Sequence, residues 1–120
     1  RRCGWFDAVA AKYSIKLNGL NEIVLTKLDI LNHLDSIKIC TEYEKGDFTS
    51  DDYSEFMHDL DNVTPLYKTM SGWNSDISNI DLFKNIPINA QKYVEYLQEL
   101  LKVKIKIISI GPERNQIIKL

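Results

Sequence analysis

Phe6, Val9, Ala10, Tyr13 and Leu17 recur at intervals of three and four, which predicts one apolar face of a helix over residues 4–17. Asn18-Gly19 follows as its stop. The pattern then shortens: residues 22–26 carry the compact run Ile23-Val24-Leu25 of a buried strand, and residues 30–34 read as one or two helical turns. Over residues 36–44, Ile37, Ile39, Thr41 and Tyr43 alternate with more polar neighbours, a strand that places Cys40 on its opposite face. Residues 46–62 are acidic, with a surface helix expected around 52–60, and residues 64–70 extend again. After the polar stretch 74–79, residues 89–102 form the clearest helical pattern, with Ala90, Tyr93, Val94, Leu97 and Leu101 on one face. Residues 104–110 are a strand that Gly111-Pro112 turns sharply. Helices and strands alternate without internal repeat, so the fold class is α/β, a mixed sheet flanked by helices.

Composition narrows the function classes. A chain of 120 residues, 44% hydrophobic, is a single domain's worth, able to remove roughly two thirds of its extended surface from water. With 15 basic and 17 acidic residues it carries a net charge of −2, no electrostatic footprint for nucleic acid or an anionic membrane. Its apolar runs fall far short of the roughly 20 residues that span a bilayer. Cys3 and Cys40 form no Cys-x-x-Cys and have no nearby histidine pair, which argues against zinc; they read as free thiols in a cytoplasmic protein, with a disulfide the minor alternative.

Candidate chemistry centres on Thr26-Lys27-Leu28-Asp29, which leaves the apolar strand. A carboxylate can accept from both N1–H and the exocyclic N2 amino group of guanine, a donor pair that adenine lacks. If the strand continues, Lys27 points to the same side as Asp29 and can lay its aliphatic stem along the base. Asp29 has a second reading, as the N-cap of a short helix, with Lys27 a solvated charge. Ligands in open α/β sheets sit beyond the carboxyl ends of strands, where Lys27, Asp29, Ser109 and Gly111 all fall. A glycine after a strand also lets backbone N–H groups approach a base closely, where O6 of guanine needs a donor. The plainer reading of Ser109-Ile110-Gly111-Pro112 is a strand-to-turn transition.

Six blocks occur in order: Arg1-Arg2-Cys3-Gly4-Trp5-Phe6-Asp7, Asn18-Gly19-Leu20, Leu25-Thr26-Lys27-Leu28-Asp29, Pro65-Leu66-Tyr67, Ser71-Gly72-Trp73 and Ile108-Ser109-Ile110-Gly111-Pro112-Glu113-Arg114. Together they resemble the C-terminal part of the adenylosuccinate synthetase family, purine-synthesis ligases that join L-aspartate to inosine monophosphate (IMP) using GTP on the way to AMP. The likeness is weakest over residues 44–62 and 74–85. It implies a piece of a larger α/β enzyme, P-loop-NTPase-like in fold, with Mg2+, the phosphate loop, the catalytic aspartate and histidine, and most of the IMP site all upstream. The five scattered glycines agree, since none builds a loop around phosphates. The resemblance further implies that Arg1, Lys27, Leu28, Asp29, Ser109, Ile110 and Gly111 contact GTP, and that the whole enzyme is a homodimer. Ile110 stands where the family usually has threonine, so a backbone contact survives there and a hydroxyl contact does not.

The remaining reactive residues have bland readings. His33 and His58 sit in polar surface contexts, and the adjacent Asp51 and Asp52 fit a solvated first turn better than acid–base chemistry. Trp5 and Trp73 are expected as apolar anchors, and Glu113 and Arg114 as ties for the final loop. The alternative to a GTP-binding piece of a ligase is an autonomous α/β interaction module without enzymatic function, in which Lys27–Asp29 is only a cap.

Overall fold

The computed structural model describes residues 4–120. Arg1, Arg2 and Cys3 fall outside the described residues, and with them the expected Arg1 contact and one of the two thiols. Among the described residues the fold is mixed α/β, with two helices and two sheets rather than one. The chain divides into two compact units, residues 4–19 with 38–70, and residues 20–37 with 71–120.

In the first unit, Phe6–Asp7 forms a short strand, β1, running parallel to Ile39 and Cys40 of the long strand β3, Ser36–Lys45. Helix α1 therefore spans Ala8–Asn18 and starts later than residue 4. Asp7 sets that start: its Oδ1 accepts the Ala10 N–H at 3.1 Å, an N-cap bond that satisfies a donor the first turn would leave orphaned. Gly19, at φ 62°, supplies the left-handed stop. Beyond β3 the chain reverses at Gly46, φ 60°, into β4, Phe48–Ser50, and later returns as β5, Thr64–Ser71, which also pairs with β3.

The surface helix expected over 52–60 is absent. Residues Tyr53–Glu55 and Leu60–Asn62 form single 3-10 turns instead. Asp52 explains the first: its Oδ1 accepts from Ser54 N at 3.0 Å and Ser54 Oγ at 2.7 Å, a local arrangement that competes with helix. Val9, Cys40, Tyr43 and Phe56 form the core of this unit, with the Tyr43 and Phe56 rings edge-on at 5.6 Å. Trp5 departs from the anchor role expected of it. It is 37% exposed and lines a cleft of about 470 Å³ with Tyr43, Tyr53, Tyr67 and Asp7.

Cys40 is 2% exposed and donates its thiol to the Glu42 carbonyl at 3.4 Å. Burial first, and the neighbouring Asp7 charge second, push the thiol from 9.0 up to about 11. Because the unfolded chain gives up that proton at lower pH, the thiol's contribution to stability is complete below pH 9 and is lost as pH rises toward 11. Urea midpoints measured at intervals from pH 8 to pH 11 should thus fall more steeply for the wild type than for Cys40→Ala. Parallel slopes would remove Cys40 as the cause.

The second unit holds β2, Glu22–Leu25, beside β6, Lys104–Ser109, in parallel, and β7, Ile117–Lys119, antiparallel on the other side of β6. One residue of β6, Lys106, bulges where the register shifts between Ile23 and Val24. Helix α2, Ile88–Leu101, packs on β6. Ala90, Tyr93, Val94, Leu97 and Leu101 are all buried, the five positions its periodicity selects. Its end is fixed twice: Lys102 takes the left-handed conformation, and the Gln98 side chain accepts the Ile105 N–H at 2.9 Å, tying helix to strand. Trp73 is buried as expected, its indole N–H donating to Asn32 Oδ1 at 3.0 Å. No helix among the described residues is long and apolar enough to cross a membrane.

Candidate functional site

The two segments singled out for chemistry meet at one end of one strand pair. Because β2 and β6 are parallel with Leu25 opposite Ile108, Thr26 leaves β2 at the carboxyl edge of the pair, where Ser109 is the last residue of β6. Six of the seven candidate contacts, Lys27, Leu28, Asp29, Ser109, Ile110 and Gly111, follow from there, and all belong to the second unit. A cleft of about 540 Å³ lined by Asn21, Glu22 and Lys102–Lys104 opens at the opposite, amino end of the same strands.

The first arm is a 3-10 turn, Leu28–Leu31, rather than a helix over 30–34. Lys27 precedes it in the left-handed conformation, φ 59°, so strand alternation does not set the relation of Lys27 to Asp29. The capping alternative for Asp29 fails too: the N-cap position is Lys27, no side chain caps the turn, and Asp29 lies inside it. Among the described residues its half-buried carboxylate accepts no hydrogen bond, which leaves both oxygens available to an incoming donor pair. Leu28 is 2% exposed and packs in the core, so its side chain anchors the turn and only its backbone can meet a ligand.

The second arm is more committed than its sequence suggests. Ile110 is 1% exposed, and its N–H donates to the Gln116 carbonyl at 2.9 Å. The Gln116 carboxamide lies over Gly111: a Cβ at 111 would lie 2.3 Å from Gln116 Oε1 and 2.4 Å from its Cδ, so a side chain there would have to push that amide aside. The backbone N–H of Gly111 has no acceptor among the described residues and is the donor this arm can offer. Ser109, half-buried, directs its hydroxyl to the Gly111 carbonyl at 3.4 Å.

Gln116 carried no sequence signal, being one of two adjacent amides, Asn115 and Gln116, in a polar loop. Its Oε1 accepts from Glu113 N at 2.9 Å, and its Nε2 donates to the Ser78 carbonyl at 3.1 Å. Ser78 in turn donates its backbone N–H to Asp76 at 2.9 Å, and bonds from the Ser78 side chain and backbone hold the Asp76 carboxyl below its ordinary range. His33, His58, Glu113 and Arg114 are exposed. No group of three or more histidine, cysteine or carboxylate side chains among the described residues could hold a metal ion.

Comparison with known proteins places this geometry in a family. The chain is 46% identical to the adenylosuccinate synthetase of Clostridioides difficile strain 630 over 98% of its own length, and 46% identical to that of Thermoanaerobacter sp. strain X514 over all of it. It spans about 28% of the length of each. A solved structure, fully ligated adenylosuccinate synthetase from Plasmodium falciparum, superposes with a TM-score of 0.87 at 31% identity, covering 100% of this chain and 29% of that one. The family model for adenylosuccinate synthetase matches residues 1–118, and with it the chain belongs to the adenylosuccinate synthetase family.

Proposed function

We propose that residues 1–120 form the C-terminal, guanine-reading region of an adenylosuccinate synthetase. In the whole enzyme the γ-phosphoryl group of GTP passes to O6 of IMP, and the amino group of L-aspartate then attacks C6 and expels phosphate, giving adenylosuccinate. The whole enzyme acts in the cytoplasm as a homodimer. On this reading Mg2+ supports the phosphoryl step and is held by the part of the enzyme that precedes this region. This region contributes nucleotide choice and no catalytic group.

One observation carries the assignment: the Asp29 carboxylate and the Gly111 N–H, neither with a hydrogen-bond partner among the described residues, stand at the same end of the β2–β6 pair. Asp29 would accept from N1–H and N2 of guanine, Gly111 N–H would donate to O6, and the Lys27 stem would cover the base. Adenine presents an amino donor where the Gly111 N–H also donates and lacks the pair that Asp29 accepts.

Calorimetric titration of the folded chain tests this directly. GTP and guanosine should bind weakly, because phosphate contacts lie elsewhere, while ATP should not bind, and Asp29→Ala should abolish the heat. Equal binding of ATP and GTP would overturn the assignment.

A further inference from the structure

The two arms of the base reader are far apart in sequence, and strand pairing fixes only their roots. What fixes their tips is a chain of hydrogen bonds running between them through residues that belong to neither arm. Asn32 N donates to the Asp29 carbonyl at 3.1 Å, closing the first turn, and Asn32 Nδ2 reaches Asp76 Oδ1 at 3.4 Å. The same Asp76 oxygen takes the Ser78 N–H, and the Ser78 carbonyl takes Gln116 Nε2. Gln116 then closes the second arm, with Oε1 on Glu113 N, its carbonyl on Ile110 N and its N–H on the Glu113 carbonyl at 3.0 Å. Its carboxamide fills the space over Gly111 that any side chain there would need. Asn32 is 5% exposed and is held from behind by the Trp73 indole, so this end of the chain of bonds cannot drift.

We propose that Gln116 and Asp76, through Asn32, are positioning residues that set the spacing between Asp29 and the Gly111 N–H, and thereby the selectivity for guanine. The inference rests on the base-reading assignment above. Neither residue touches the base. Losing the Gln116 bonds frees the 110–116 turn to move against the Asp29 turn, so a base can satisfy one arm or the other but not both.

The test is steady-state kinetics of a synthetase of full family length carrying this segment. Gln116→Ala should raise KM for GTP about tenfold, the equivalent of one or two lost hydrogen bonds. The kcat and the KM values for IMP and aspartate should stay within about twofold of the parent. Asp76→Ala should do the same, and Asp76→Asn, which keeps the acceptor oxygen, should restore the parental KM for GTP. A merely structural loss would lower activity with every substrate alike. An unchanged KM for GTP in folded Gln116→Ala, or a rise in all three KM values together, overturns the proposal. If Gln116→Ala does not fold, the Asp76→Ala and Asp76→Asn pair decides alone. Asp29→Asn assayed alongside separates the two ideas: a change in base preference there with silent Gln116 and Asp76 variants overturns the positioning role only, and no change overturns both.

Discussion

Asp29→Asn should convert the family-length enzyme from a guanine to a xanthine nucleotide user. The carboxylate offers two acceptors to N1–H and N2 of guanine, whereas the amide offers one acceptor and one donor. Xanthine keeps N1–H and replaces the amino group with a C2 carbonyl, so the variant pairs with it and leaves guanine facing a donor with a donor. A site built to hydrogen-bond its substrate rejects a mismatched analogue by on the order of 10⁴-fold, because the site's own polar groups are stranded without partners. The ratio of kcat/KM for GTP to that for xanthosine triphosphate should change by roughly that factor. An unaltered ratio would sink the assignment of Asp29. The turn itself should survive the change, since the Asp29 side chain caps nothing and the buried Leu28 anchors the backbone.

Gly72→Ala should be the most damaging single methyl in the second unit. Gly72 follows β5, and a Cβ there would lie 1.9 Å from the Leu34 carbonyl oxygen, 2.8 Å from its carbon and 3.1 Å from the Asp35 carbonyl carbon. All three are backbone atoms, which no rotamer change can move aside. Nor can Gly72 retreat: its N–H donates to the Asp35 carbonyl at 2.8 Å, and its own carbonyl accepts from Asn89 Nδ2 at 2.9 Å. Overpacking against fixed backbone costs about 3 kcal/mol or more. Gly4→Ala is the control, with no atom within 4 Å of its added methyl. Equilibrium denaturation should show a large midpoint shift for the first and none for the second. Equal midpoints would mean that the 34–35 backbone yields.

Where local chemistry dominates, the sequence was legible. Helix α2 is visible because a 3.6-residue period over fourteen positions has one solution, and its five apolar positions are the buried ones. Gly19 ended α1 where expected because a left-handed residue is a local requirement. The errors fall where distant partners decide. Phe6–Asp7 looks helical until Ile39 and Cys40 pair with it, and Ile117–Lys119 is too short to declare itself without β6 alongside. The acidic segment failed for the opposite reason, since the Asp52 bonds to Ser54 are more local than a helix. Within the candidate site, the residue types were readable and their commitments were not. Nothing about Ile110 announces that Gln116 already holds its N–H, and Gln116 has no motif at all.

The parallel pairing of β2 with β6 also sets a schedule. Residues 22–29 leave the ribosome before residues 104–111, which stand beside them, and all of the intervening chain is made between the two. Until then Asp29 has no opposing donor and β2 has no parallel neighbour. Pairing across so long a loop is slow, because closure entropy must be met before any contact rewards it. A nascent chain halted anywhere before residue 111 therefore carries Asp29 without the second arm that the proposed guanine reader needs. On that proposal, discrimination waits for a single step, the docking of β6 beside β2.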